Sequence, residues 1–359
     1  MGGPVHVGVN VRGREALDVL SRAVSRVTVT RPDAFVVCGD LFDTASPPPQ
    51  LIARTQEILS VPVDAGIPTV VISGNHDQVS DAEGDNALRP LRPAGVRVVD
   101  TWSASPGDQI VGGVLLAPFR REPVVEWLPA FMSRYAGNGA EILCLHAGII
   151  DASTPLFLRS SPDAVETHFL GRLCAEYGIR AVVCGNWHKR GRWRESGVEI
   201  VQVGALVPTG FDNQGVFDEQ QTPLYGGLAS VSAEAGEVRV VHESIPGPRF
   251  VTGFRTPSRW KALVDWFAAR PGYSLYAEHA GPDADNSVRA LFEAERAAGR
   301  LAGWAVVPRK TTVLATPRSP TNLANSEIGL AGAVESVLAG QDWDDDVKRE
   351  VRALLAEGA

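Results

Sequence analysis

Apolar runs of four or five residues recur along the amino-terminal half of the chain, and each stops at a polar turn. Residues 34–38 (A-F-V-V-C) lead into G-D-L-F-D at 39–43, and 69–73 (T-V-V-I-S) lead into G-N-H-D at 74–77. Residues 142–145 (I-L-C-L) stop at His146, and 181–184 (A-V-V-C) run into Gly185, Asn186, Trp187 and His188. Short uninterrupted apolar runs bounded by turn residues predict strands buried on both faces. Helical periodicity over 15–30 and 49–65 lies between them. The resulting β-α-β alternation predicts an α/β fold, a layered α/β sandwich. Ligands in such folds gather beyond the carboxyl ends of the strands, so the polar turns are the expected seat of the chemistry.

Further along, the stretch 81–100 resembles one in which a helix leads into a strand at 96–99. The runs 224–231 and 238–243, separated by Ala235 and Gly236, predict a hairpin. Proline and glycine at 245–249 predict a linker. Beyond it a strand (250–255), helix (258–269), strand (273–278), helix (287–299) and strand (304–307) predict a second, smaller unit. A Pro-, Ser- and Thr-rich stretch at 315–321 reads as a tether to two amphipathic helices, 326–338 and 344–356. Ile328, Leu330, Val334 and Val337 stripe the first, and Val347, Val351 and Leu354 the second. A pair this short cannot bury both stripes by itself, so it packs either on a partner or back on the preceding unit. The expected division is 1–248, 249–314, 315–325 and 326–359.

The chain of 359 residues is long enough for a large domain plus a small one. It contains no apolar run of membrane-spanning length and no charged-then-apolar leader, so a cytoplasmic protein is expected. A formal charge of −8 excludes a protein that coats nucleic acid by bulk charge alone. One local exception is the basic segment 189–194, where Lys189, Arg190, Arg192 and Trp193 provide cations and a ring that can follow a phosphate backbone. Cys38, Cys144, Cys174 and Cys184 show no C-x-x-C spacing, and read as reduced packing residues.

Asp40, Asn75, His146, Asn186 and His188 all fall in the turns, as does His76. A mixed set of oxygen and imidazole donors suits manganese, iron or zinc better than calcium. With G-D-L-F-D and G-N-H-D in this order and spacing, residues 1–250 resemble calcineurin-like metallophosphoesterases, most closely the SbcD-type DNA-repair nucleases. The resemblance extends to V-G-A-L-V-P-T-G-F at 203–211, which is similar to the segment after the last metal loop of those nucleases. It implies that Asp40 bridges metals, that Asn75, His146 and His188 are further ligands, and that His76 stabilises the transition state or donates a proton. Asp77 would orient His76. It also implies a capping domain that selects DNA ends and carboxyl-terminal helices that bind an SMC-like, SbcC-type ATPase. DNA, that ATPase and a second copy of the chain are therefore the expected partners, with no membrane.

Two motifs depart from the family pattern. The D-x-H expected near residues 5–13 is absent, and neither alignment of V-H-V-G-V-N-V-R-G supplies a carboxylate or imidazole at its two positions. Asn186 stands where the last motif carries its first histidine. One metal position then keeps only Asp40 and His188, whereas the other keeps Asp40, Asn75 and His146, with Asn186 offering an amide oxygen. One tight Mn2+ or similar divalent ion is expected rather than two. If Asn10 and Arg12 occupy the first-motif positions, the Arg12 guanidinium would stand near the lost ion and bind phosphate without generating hydroxide. The expected activity is a weakened DNA-end phosphodiesterase. The alternatives are an inactive family member that binds DNA or regulates an ATPase, and a phosphoesterase acting on a small nucleotide or phosphoester.

Overall fold

The computed structural model describes residues 5–6, 9–78, 86–154, 156–208, 216–217, 223–224, 227–234, 237–253, 257–269, 274–280 and 286–307. Residues 1–308 form one compact unit and 309–359 a second. The expected tether and helical pair at 315–359 lie outside the described residues.

The first helix, α1 (Val11–Thr30), begins four residues earlier than its periodicity predicts, because Asn10 caps it by accepting from the Gly13 amide at 2.7 Å. It is followed by β1 (Phe35–Val37), α2 (Pro49–Asp64), β2 (Thr69–Ile72) and β3 (Arg97–Val99). These strands pair in parallel in the order β1-β2-β3. The helix expected ahead of β3 is a 3-10 turn at Arg89–Ala94. Proline at positions 90 and 93 removes amide donors that a longer α-helix would need.

The second sheet contains β4 (Ile110–Val111), β5 (Val114–Ala117), β6 (Ile142–Leu145), β9 (Ala181–Cys184), β10 (Gly191–Glu195) and β11 (Val198–Gln202). Its order is β10-β11-β9-β6-β5-β4, parallel except at the two edge pairs. Helix α3 (Val124–Tyr135) connects β5 to β6. Between β6 and β9 lie the small parallel pair β7 (Gly148–Ile150) and β8 (Ala164–Glu166), then α4 (Thr167–Glu176).

Alternation along the strands explains the layering. Val70 and Ile72 share an inter-sheet core with Leu116 and Cys144, whereas Val71 between them packs with Leu20, Val24 and Leu59 of the helices. In the second sheet, Leu115, Leu143 and Leu145 pack under Leu128, Phe131 and Met132 of α3. Neighbouring strand residues thus enter opposite layers, and strands apolar on both faces are the consequence of being covered twice.

A hairpin of β12 (Leu228–Glu234) and β13 (Glu237–Glu243) follows, shifted from the expected ranges. The last described part runs β14 (Arg249–Gly253), α5 (Pro257–Ala268), β15 (Leu275–Ala280), α6 (Asn286–Ala297) and β16 (Gly303–Val307). Its three strands are parallel, and Trp260, Val264 and Phe292 help to fill a core of its own. On the other face of the sheet, the buried Phe250 and Tyr276 rings stack at 4.8 Å. The Tyr276 hydroxyl donates to Glu15 at 2.7 Å, which joins this small sheet to α1. Among the described residues no helix is long and apolar enough to cross a membrane.

Candidate metal centre

Three loops from different strand ends converge on Asp40 and His146. Gly39 and Asp40 both have positive φ, 85° and 49°, a turn that Gly adopts freely and Asp adopts more readily than most residues. Directly opposite, a β-carbon on Gly74 would overlap the Asp40 carboxylate and amide. The Gly185 loop approaches as closely, since a β-carbon there would overlap the Cys38 carbonyl. Glycine at these positions is what allows the loops to meet.

The His146 side chain is fully buried. Its Nδ1 lies 2.8 Å from the Cys38 carbonyl, which only accepts, so Nδ1 carries a hydrogen. Nε2 then faces two oxygens, Asn75 Oδ1 at 2.9 Å and Asp40 Oδ2 at 3.2 Å. A neutral imidazole would direct its lone pair at both. That arrangement is satisfied by a proton on Nε2 or by a cation among the three atoms. Burial alone lowers the His146 pKa, but the hydrogen bond and charge of Asp40 outweigh it, and the net shift is upward. Burial would raise Asp40, yet contact with His146 and the His76 amide takes it below the ordinary range.

Asp40, Asn75 and His146 therefore provide an anionic oxygen, a neutral oxygen and an imidazole nitrogen, which fit one divalent transition ion. Among the described residues no three His, Cys, Asp or Glu side chains gather in a metal-holding group. His188 thus does not join Asp40 and His146 in such a group, and it is exposed beyond β9. Asn186, at φ 77°, turns its amide nitrogen toward Asp163.

His76 is exposed beside this centre. Its amide donates to Asp40 Oδ1 at 2.9 Å and its Nδ1 lies 3.2 Å from the Asp43 carbonyl, leaving Nε2 directed away from that contact. Asp77 does not orient the ring as expected. It is buried and accepts from the amides of Gly74 at 2.9 Å and Phe42 at 3.3 Å, so it locks the first two loops together. Burial, opposed by these amides and reinforced by the charge of Asp40, pushes its carboxyl up to about 6.

The remaining expected residues are engaged elsewhere. Arg12 donates to the Pro208 carbonyl at 2.8 Å and covers the rings of Phe250 and Tyr276, so it joins the small sheet to α1. Arg190 donates to Ser244, Arg192 to Glu199 and to the Val240 carbonyl, and the Trp193 indole to Asp151 at 2.7 Å. Hydrogen bonds from Ser153 and Trp193 hold Asp151 down at about 2. Lys189 is exposed in the turn. All four cysteines are free thiols. Burial pushes Cys174 up to about 12, and the Cys144 thiol, against Cys38 at 3.3 Å, is also raised. Neutral buried thiols of this kind are packing groups.

Two residues not anticipated from the sequence hold the loops. Gln202, 1% exposed, donates to the Cys184 and Gly185 carbonyls and accepts from the Ile149 amide at 3.1 Å. A glutamine ending the apolar run of β11 was the available signal. Asp163, in S-P-D at 161–163, carried none. With Asn75, Phe119, Arg121, Ser161 and Pro162 it lines a cleft of about 440 Å³ beside the centre.

Residues 5–190 match the calcineurin-like phosphoesterase family. Over 141 residues the chain is 31% identical to the DNA double-strand break repair protein Mre11 of Aeropyrum pernix, covering 34% of this chain and 32% of that protein. Bovine serine/threonine-protein phosphatase CPPED1 is 26% identical over 52% of this chain and 63% of its own length. The SbcD component of nuclease SbcCD from Staphylococcus saprophyticus is 33% identical over 20% of each chain. The chain thus spans less than two thirds of each of these relatives.

Proposed function

Because the chain belongs to the calcineurin-like phosphoesterase family, we propose that it hydrolyses phosphodiester bonds at DNA ends. In this reading one divalent ion, Mn2+ being the best fit, is held by Asp40, Asn75, His146 and the Asn186 amide oxygen. The observation that carries this reading is His146 Nε2, buried and facing Asp40 Oδ2 and Asn75 Oδ1 while Nδ1 is committed to Cys38. When bound, a divalent ion polarises a phosphoryl oxygen and stabilises the charge that develops on it. The protein's own part is positional. Asp77 fixes the loops that carry Asp40 and Asn75. The Asp43 carbonyl fixes His76 Nδ1, so that Nε2 of the imidazolium is the end that donates a proton to the leaving oxygen.

A single ion is favoured because the first-motif region is spent on structure: Asn10 caps α1 and Arg12 binds Pro208 and two rings. Action on DNA is supported by the similarity to Mre11 and to the SbcD component of SbcCD, and by the small parallel sheet at 249–307, which we assign as the capping domain. The 326–359 segment is assigned to an SMC-like ATPase partner. With Arg190, Arg192 and Trp193 engaged internally, Lys189 is the residue of that segment best placed for phosphate. The longer similarity to CPPED1 favours a second reading, hydrolysis of phosphomonoesters. Mn2+-dependent hydrolysis of a DNA end and of p-nitrophenyl phosphate, each with wild type and His76→Ala, separates the two. The proposal requires DNA cleavage that His76→Ala suppresses. Cleavage of the monoester alone supports the second reading, and no cleavage of either supports an inactive family member.

A further inference from the structure

We propose that Asp163 is a positioning residue for the metal centre, setting which end of the Asn186 amide faces the cation. The inference rests on the reading of Asp40, Asn75 and His146 as that centre. Asn186 Nδ2 lies 2.8 Å from Asp163 Oδ2, with a longer contact of 3.4 Å to the Asp163 carbonyl. Both of these oxygens only accept, so the end of the amide facing Asp163 is the NH2 group. The amide is planar, and fixing its nitrogen turns Oδ1 away from Asp163.

That orientation decides what the residue can do. An amide oxygen coordinates a cation, whereas an amide NH2 directs positive hydrogens at it and repels it. Asn186 stands at a left-handed backbone position, so rotation of its side chain is the remaining freedom, and Asp163 removes it. Asp163 is itself well held. Its second carboxylate oxygen accepts from the Ser161 hydroxyl, and its carbonyl accepts at 2.9 Å from Gly148, two residues beyond His146. The preceding carbonyl, of Pro162, accepts from Val124 at the start of α3. Asp163 also lines the same cleft as Asn75. One short segment thus connects the His146 loop, the Asn186 loop and the cleft wall. In metal sites with histidine ligands, a carboxylate behind the ring performs this orienting task. Here the carboxylate stands behind an amide.

Titration of metal-free protein with Mn2+ by calorimetry, with the melting temperature of each variant recorded, tests the assignment. Asp163→Ala should weaken Mn2+ binding about 10-fold or more. Asp163→Asn should stay close to wild type, because its carbonyl can still accept from Asn186. In an Asn186→Ala background, Asp163→Ala should add no further loss. Wild-type affinity in Asp163→Ala, or an equal loss in the Asn186→Ala background, would overturn the assignment. If Asp163→Ala does not fold, the reversed pair Asp163→Asn with Asn186→Asp takes its place. It should bind Mn2+ more tightly than Asn186→Asp alone, and equal affinity would overturn the assignment. Unchanged Mn2+ binding in His146→Ala would instead remove the metal-centre reading on which the inference stands.

Discussion

Raising the pH from 6 to 8 should tighten metal binding and loosen the metal-free protein at the same time. In the metal-free state the proton on His146 Nε2 occupies the place where a cation would meet Asp40 and Asn75. Binding must release it. Below the raised pKa of His146, Mn2+ affinity should therefore increase about tenfold per pH unit, or about 1.4 kcal/mol, and level off above it. Stability of the metal-free protein runs the other way. The His146 contribution, with its folded pKa raised, is complete below the unfolded value and disappears as pH rises through the folded one. Asp77, raised from 3.8 to about 6, behaves likewise, and its ionisation costs on the order of 2–3 kcal/mol across that interval. Asp40, lowered instead, weakens the fold only as pH falls below its ordinary value of 3.8. Calorimetric titration at pH 6, 7 and 8, in buffers of different ionisation heat, counts the protons released. One proton per ion at pH 6 is expected, alongside a falling melting temperature of the metal-free protein. An affinity independent of pH, with no proton release, would refute the argument from His146.

Three further outcomes follow from the same contacts. Replacing His76 by Ala should lower turnover by about 10²-fold or more with little change in Mn2+ affinity, measured by steady-state kinetics and titration; an unchanged rate would place the activity elsewhere. Asp77→Ala strands the buried amides of Gly74 and Phe42 and should cost about 2–4 kcal/mol in urea unfolding, whereas a loss below about 0.5 kcal/mol would show that the two loops hold together without it. Deleting 322–359 should leave a soluble, folded protein that no longer binds the proposed ATPase partner, with Leu330, Val334, Val351 and Leu354 each contributing on the order of 1–2 kcal/mol to that proposed contact; aggregation of the truncated chain would make that segment part of its core.

Strands and chemistry were legible together because a strand buried on both faces leaves an uninterrupted apolar run, and the polar residue at its end has to have another use. Asp40, Asn75 and His146 were expected at one place on this ground, and the structure brings their side chains together. The helix start at Val11 was not, since it depends on the Asn10 cap in a region where family spacing suggested a metal loop. The resemblance implied that Asp77 orients His76, but it does not show that the carboxylate turns inward to two amides. Arg190, Arg192 and Trp193 look like a basic surface in one dimension. In three, Ser244 and Asp151, distant in sequence, and Glu199 on the adjacent strand take up their donors. Asp163 was invisible for the same reason: its partner Asn186 is brought to it only when β8 and β9 are in place.

The most direct test of the account is the number of Mn2+ ions bound tightly per chain, determined by equilibrium dialysis on wild type, Asp40→Asn and His146→Ala. One ion in the wild type and none in either variant is the predicted result. Two ions, or a single ion that persists in both variants, would contradict a metal centre built on Asp40, Asn75 and His146.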